Sequence, residues 1–374
     1  MIRTSFRRAV VPGIAALALA LTACGASNED DDTDTSSGDD MSSDVSSLSG
    51  ELAIGGASSQ EAAQGAWIVG FQELAPDVTV TYDPVGSGGG RENFISGGYP
   101  LAGSDAYLTD DEGELSDAKE RCGSDPIEVP NYVSPIAIIY NIDGVDELNL
   151  SPDTIGQIFA GKITKWNDPA ITEDNPDADL PDAEINPVHR SDESGTTENF
   201  TAYLDAVAAD AWGGGVVETW PKGFGGEGAQ GTSGVVGAVK SGTNAIGYAD
   251  ASQAGDLGQA MVGVGDEFVA PSAEAAAKVL EVSDRVEGRP DVDMAFDLDH
   301  TTEETGVYPV VLTSYLIACQ TYEDQDEADL VKAYMEYILS DEGQEFGSQE
   351  AGVAPLADSL QSEALDIVGQ ISAG

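Results

Sequence analysis

The chain has 374 residues, with 15 Lys+Arg against 68 Asp+Glu and a formal net charge of −53. Hydrophobic residues make up 41%, enough for a large core, and the length suits one large or two medium domains. So few cations exclude a basic surface for nucleic acid or anionic membrane, because both need clustered Lys and Arg. The same charge sets an expectation against an anionic ligand.

The N-terminus carries Arg3, Arg7 and Arg8, then an apolar run from Ala9 to Leu21, then Thr22, Ala23 and Cys24. This order reads as a secretory signal over residues 1–23, too short to span a bilayer. Its Leu-Thr-Ala-Cys end resembles the lipobox of bacterial lipoproteins, which implies cleavage before Cys24 and acylation of its thiol. Residues 24–50 are rich in Ser, Asp and Gly, with too little apolar surface to fold. They are expected to form an acidic, disordered tether reaching about 25–30 Å as a random coil. Lipid on Cys24 would then hold an extracytoplasmic domain at the cell membrane. Cys122 and Cys319 remain, and such a pair in an exported chain is expected to be bridged.

Glu51 to Gly56 reads as a strand that opens through Ala57-Ser58-Ser59-Gln60 into a helix, with Ala63, Trp67, Gly70, Phe71 and Leu74 at helical spacing. A second strand, Val78 to Tyr82, opens into Gly86-Ser87-Gly88-Gly89-Gly90 and a short helix from about Arg91 to Ser96. A third apolar piece ends in Gly103-Ser104-Asp105. Alternating strand, turn and helix predict an α/β domain with some parallel pairing, whose ligands collect at the carboxyl ends of strands. Tyr132 to Tyr140 reads as a long strand crossing into a second domain, and Ser151 to Thr154 as a helix start. Val188 leads into His189-Arg190-Ser191-Asp192-Glu193-Ser194-Gly195-Thr196 and a further helix. Val310 to Ala318 and Leu330 to Leu339 read as a late buried strand and a helix.

Three of these turns place small hydroxyl and glycine residues at a helix start: Ala57-Ser58-Ser59, Gly86-Ser87-Gly88-Gly89 and Ser194-Gly195-Thr196. A helix N-terminus leaves unpaired N–H groups and a partial positive charge, and glycine lets an anion approach the backbone. Ser and Thr are also the commonest N-caps, so each turn taken alone is ordinary. Arg190, four residues before Ser194, adds a planar fork that matches a tetrahedral oxyanion.

In these runs the sequence resembles the phosphate-binding proteins, the receptors of the Pst-type phosphate ABC importer. The resemblance rests on Gly56-Ala57-Ser58-Ser59, Val85-Gly86-Ser87-Gly88-Gly89-Gly90, Gly103 to Leu108, Gly161 to Asp168, His189 to Thr197, Gly225 to Gly228, and Ala245 to Tyr248, in that order. It implies a periplasmic-binding-protein type II fold, two hinged lobes with the ligand in the cleft between them. The expected lobes are 51–132 with 308–374, and 133–307, with hinge strands near Tyr132 to Pro135 and Gly306 to Val310. The implied phosphate contacts are Ser58, the backbone of Ser59, Ser87, Asp105, Arg190, Ser194, Gly195 and Thr196, with Asp192 orienting Arg190. Ser59 stands where many members carry an aromatic residue. The implied partners are inorganic phosphate and the permease subunits with their ATPase; a monomer is expected, with no cofactor, no metal and no nucleic acid.

Phosphate near neutral pH retains a proton and sulfate does not, so a buried Asp105 accepts a hydrogen bond from one and repels the other. A receptor for sulfate or molybdate is the nearer alternative, and a surface protein with a degenerate cleft the more distant one. Catalysis is disfavoured: the chain has two His, no dense metal-ligand cluster, no Gly-Lys-Ser/Thr ending on its glycine run and no Gly-x-Ser-x-Gly elbow. Oriented N–H groups and one Arg act at about 3 Å, inside the screening length of about 8 Å at physiological salt, so local geometry outweighs the net charge. The excess of acids over Lys fits a chain adapted to concentrated salt, where screening shrinks to about 3 Å.

Overall fold

The computed structural model describes residues 45–374. The expected signal sequence, Cys24 and the expected tether as far as residue 44 lie outside the described residues.

Nine strands form one continuous sheet. The first half alternates strand and helix: β1 (Ser49–Gly56), α1 (Glu61–Leu74), β2 (Asp77–Asp83), α2 (Ser87–Ile95), β3 (Leu101–Ser104) and α3 (Glu114–Cys122). Next come β4 (Ile127–Asn141), α4 (Pro152–Phe159), β5 (Asn186–Arg190), α5 (Gly195–Trp212), β6 (Glu227–Ala229), α6 (Gly231–Ser241), β7 (Ala245–Asp250) and β8 (Gly258–Gln259). The chain returns through β9 (Val311–Ala318), α7 (Gln325–Leu339) and α8 (Asp341–Ala351). The strand order is β2-β1-β3-β9-β4-β7-β5-β6, with β8 also on β4.

The long strand β4 belongs to both halves of the molecule. Residues 127–135 pair antiparallel with β9, whereas 136–141 pair antiparallel with β7. The switch at Pro135/Ile136 coincides with the second crossing, where the Ile136 N–H donates to the Val310 carbonyl and the Tyr308 hydroxyl to the Ile136 carbonyl. Every residue of β4 except Asn141 is buried, including the polar Glu128, Asn131 and Ser134, and its most continuous apolar stretch is Ile136–Tyr140. The two halves are therefore joined at one sheet position by two adjacent chain crossings.

In the first half β1 pairs parallel with β2 and β3, as right-handed strand–helix–strand units require. The C-terminal helices close this half. The Trp67 indole N–H donates to the Gly343 carbonyl, and Phe71 packs edge-on to Tyr334. Cys122 and Cys319 are bonded, with Cα atoms 5.3 Å apart, tying the end of α3 to the end of β9. In the second half β7 and β5 pair parallel, and an aromatic cluster of Phe159, Phe200, Trp220 and Tyr248 fills the space beneath them.

Two boundaries differ from expectation. β1 begins at Ser49, opposite Asp77, and Val45 is already buried, so the folded part starts inside the segment read as tether. Residues 284–297, expected in the second lobe, pack on the first: the Met294 N–H donates to the Glu128 carbonyl and the Phe296 N–H to the Tyr315 hydroxyl. A strand pair of Asp284–Arg285 with Phe296–Asp297 and an ion pair from Arg285 to Glu363 complete that attachment.

Candidate anion-binding site

The carboxyl end of β1 is the first wall of the site. Gly56, at φ 147°, lies against β3 so closely that a Cβ there would overlap the Gly103 carbonyl. The next turn carries Ser58, Ser59 and Gln60, all buried, straight into α1. The Ser59 hydroxyl donates to the carboxylate of Asp105 at 2.6–2.7 Å. The Ser58 hydroxyl accepts from the Thr232 N–H at 2.9 Å and lies 3.1 Å from the Thr232 hydroxyl. Thr232 begins α6 and so comes from the opposite half.

The second wall is the start of α2. Gly86, at φ 99°, turns the chain, and the buried Ser87 hydroxyl accepts from the Asp105 N–H at 3.1 Å. The glycines of this run also admit the other half. A Cβ on Gly86 would lie 2.7 Å from the Glu193 carbonyl oxygen, and one on Gly88 would lie 2.5 Å from the Glu193 side chain.

Asp105 follows β3 and is 3% exposed. Its carboxylate accepts from Ser59, from the Ser314 hydroxyl at 2.7 Å and from the Thr196 hydroxyl at 2.9 Å. Burial pushes this carboxyl up; the three hydroxyl bonds and the charge of Arg190 oppose that rise without cancelling it.

The facing wall is built by β5 and α5. Arg190, 2% exposed, ends β5 and makes a two-pronged ion pair with Asp192, through Nε at 2.8 Å and through Nη2. The Gly231 N–H also donates to Asp192, at 3.0 Å. Burial works to raise the Asp192 carboxyl, but the bonds and charge of Arg190 and the Gly231 N–H hold it below the usual range. Ser194 caps α5, accepting from the Thr197 N–H at 3.1 Å. Gly195 sits where a Cβ would lie 2.8 Å from both Asp105 and Ser87, so the facing walls touch here.

The two walls are engaged throughout. Besides Thr196 to Asp105, Asn199 donates to the Asp105 carbonyl at 2.8 Å, and Gln253 donates to the Ser58 and Ser59 carbonyls at 2.9 Å. Ser58, Ser59, Ser87, Asp105, Arg190, Asp192, Ser194, Gly195 and Thr196 thus come together from four segments distant in sequence. Helix starts, hydroxyls and one guanidinium present donors on several sides, while Asp105 presents an acceptor. Such a set suits a tetrahedral oxyanion that still carries a proton.

Sequence reasoning passed over Thr232, Ser314, Asn199 and Gln253. Thr232 had a signal, because Gly231-Thr232-Ser233 is a fourth hydroxyl–glycine helix start of the same design. Ser314 had a weaker one, as a polar residue inside the apolar run of β9. Among the described residues no group of three or more His, Cys, Asp or Glu has the arrangement to hold a metal ion, and no helix is long and apolar enough to cross a membrane.

A family model described as a PBP superfamily domain matches residues 36–342. Phosphate-binding protein PstS2 of Mycobacterium bovis is 35% identical over 372 residues, covering 97% of this chain and 98% of that protein. Phosphate-binding protein PstS 3 of Mycobacterium tuberculosis is 34% identical over 370 residues, with the same coverage of 97% and 98%. A solved structure of a high-affinity periplasmic phosphate-binding protein bound with phosphate shares the fold, with a TM-score of 0.67 at 23% identity. The match covers 84% of this chain and 92% of that one. The near-full-length identity and the shared two-lobed α/β architecture together establish that the chain belongs to the PstS phosphate-binding protein family, with the periplasmic-binding-protein type II fold.

Proposed function

We propose that the protein is an extracytoplasmic receptor that captures inorganic phosphate between its lobes and delivers it to a membrane ABC permease driven by an ATPase. The observation that carries this reading is Asp105: a buried carboxylate ringed by hydroxyls, in a pocket otherwise made of donors. Phosphate with a proton offers that carboxylate a hydrogen bond, whereas a fully deprotonated oxyanion presents only lone pairs to it. Leaving such a buried group unpaired costs about 1–3 kcal/mol or more, a factor of roughly ten to a hundred in affinity.

In this reading the hydroxyls of Ser58, Ser87 and Ser194, the N–H groups of Ser59, Gly195 and Thr196, and Arg190 donate to the ligand. Asp192 keeps Arg190 charged and aimed. No bond is made or broken; the lobes close by rotation about the two crossings near Pro135/Ile136 and Val310, and the closed form docks on the permease. Lipid on Cys24 would keep the receptor at the outer face of the membrane. It is expected to act as a monomer.

Isothermal titration with phosphate, arsenate, sulfate and molybdate tests the reading. Phosphate is expected to bind and sulfate to show at least tenfold weaker binding. Sulfate or molybdate binding as tightly as phosphate, or no oxyanion binding at all, overturns it.

A further inference from the structure

Arg91 lies outside the anion site, yet it is nearly as buried as Arg190, at 4% exposed. It projects from α2 in the first half. Within that half it bonds both carboxylate oxygens of Glu114 through Nε, at 2.9–3.0 Å, and the Ser104 hydroxyl through Nη1 at 3.1 Å. Its remaining arm reaches across the cleft to both oxygens of Glu218, at 2.7 and 2.9 Å. Glu218 belongs to the second half, and its own carbonyl accepts from the Ser194 N–H at 3.2 Å. A single guanidinium thus links the glycine-rich helix of one wall to the turn that starts α5 in the other.

We propose that Arg91 and Glu218 form a closure latch. Glu114 and Ser104 pre-aim the guanidinium in the first lobe, and closure brings Glu218 onto it. The pairing holds the closed form and fixes the backbone of the Ser194 turn through the Glu218 carbonyl. Arg91 is suited to this because its planar fork bonds two carboxylates at once, which a Lys does not do. The surroundings make the pair decisive: Glu193 and Glu198 also face this 460 Å³ cavity, so closure without Arg91 would press carboxylates together uncompensated. Both residues are positioning residues: Arg91 bonds none of the site residues named above, and Glu218 meets them only through its carbonyl on the Ser194 N–H. The inference rests on the phosphate reading and adds the element that sets the lifetime of the closed complex.

Stopped-flow phosphate association and release in wild type, Glu218→Gln, Arg91→Lys and Glu114→Gln tests it, with melting of each ligand-free variant as the check on folding. Glu218→Gln is expected to speed release tenfold or more while association stays within twofold. Arg91→Lys should fall between it and wild type. Glu114→Gln, which removes a bond to the same Arg within one lobe, should change release by less than threefold. Release from Glu218→Gln at the wild-type rate, or equal effects of Glu218→Gln and Glu114→Gln, overturns the latch. Spin-label distances across the cleft in the ligand-free protein judge it without phosphate. Glu218→Gln should shift the population toward longer distances, and unchanged distributions overturn the latch. Failure of wild type to bind phosphate would overturn the functional reading alone, since the label distances still decide the latch.

Discussion

Asp105 and Asp192 are carboxylates on facing walls of one cleft, the first buried and the second half-buried, and their surroundings drive them in opposite directions. Asp105 accepts from three hydroxyls, and burial still leaves its carboxyl above the ordinary range. Asp192 also loses water, but the paired bonds of Arg190 and the Gly231 N–H hold it below. Neutral donors satisfy a carboxylate's lone pairs without neutralising its charge, whereas a bidentate guanidinium does both. Under the proposed function the contrast separates the roles: Asp192 would stay ionised and hold Arg190 in place, while Asp105 would be the acid that responds to whether its ligand brings a proton.

The harshest way to break the comparison is to remove its cation. Arg190→Ala should weaken phosphate binding about a hundredfold, since charge-assisted bonds are each worth about 1.5–3 kcal/mol. It also leaves the half-buried Asp192 without its cation, so thermal stability should fall as well. Titration and melting of the same sample separate the two effects; phosphate binding within threefold of wild type would remove Arg190 from the site. Asp105→Asn is next in size. It keeps the shape but removes the charge and turns one acceptor oxygen into an NH2 donor, so sulfate binding should rise and phosphate binding fall until their ratio has shrunk by ten- to a hundredfold. An unchanged ratio by titration would end the specificity role of Asp105.

How much of this was legible follows from what each feature depends on. The turns at Ser58, Ser87 and Ser194 were readable because helix starts carry local signatures, and β4 because its second half, Ile136–Tyr140, is a continuous apolar stretch. The glycines after Val85 were read as room for an anion, while Gly86 and Gly88 also make room for Glu193 of the other lobe. That second use depends on how two distant segments meet, which no local pattern encodes. The same reason hid Ser314, whose bond to Asp105 spans 209 positions, and placed residues 284–297 on the wrong lobe. The tether ran too far because composition marked residues 45–50 as polar, whereas pairing with Asp77 draws Ser49 into the sheet.

Gly195 tests whether the two carboxylates must approach as closely as they do. A Cβ there meets Asp105 and Ser87 across the cleft at 2.8 Å, a clash that opening of the lobes is expected to relieve. Gly195→Ala should therefore cost about tenfold in phosphate affinity and leave ligand-free melting unchanged or slightly raised, since Ala is the better helix former. Gly237→Ala, within α6 and with nothing inside 4 Å of its added Cβ, is the matched control and should leave affinity alone. Equal affinities for the two variants would show that the lobes do not need that contact.

The smallest expected effect extends the contrast to a third carboxyl. Glu198, on α5, is pushed up to about 8, first by burial and then by the charge and hydrogen bond of Glu218, against the pull of Arg91. Glu114 faces it as a further acid, and Tyr107, Asp297 and His300 line the adjoining cavity. Because the folded pKa lies above the unfolded one, the folded protein holds a proton that the unfolded chain releases between about pH 4.5 and 8. The stability associated with this group is complete below that window and is lost as pH rises through about 8. Glu198→Gln mimics the protonated form at every pH. It should match wild type in melting temperature below pH 4.5 and exceed it by roughly a few degrees at pH 9. Parallel melting curves across that range would show that Glu198 is ionised in the folded protein at neutral pH, making it a partner to Asp192 and leaving Asp105 alone as the carboxyl that burial raises within reach of the ligand.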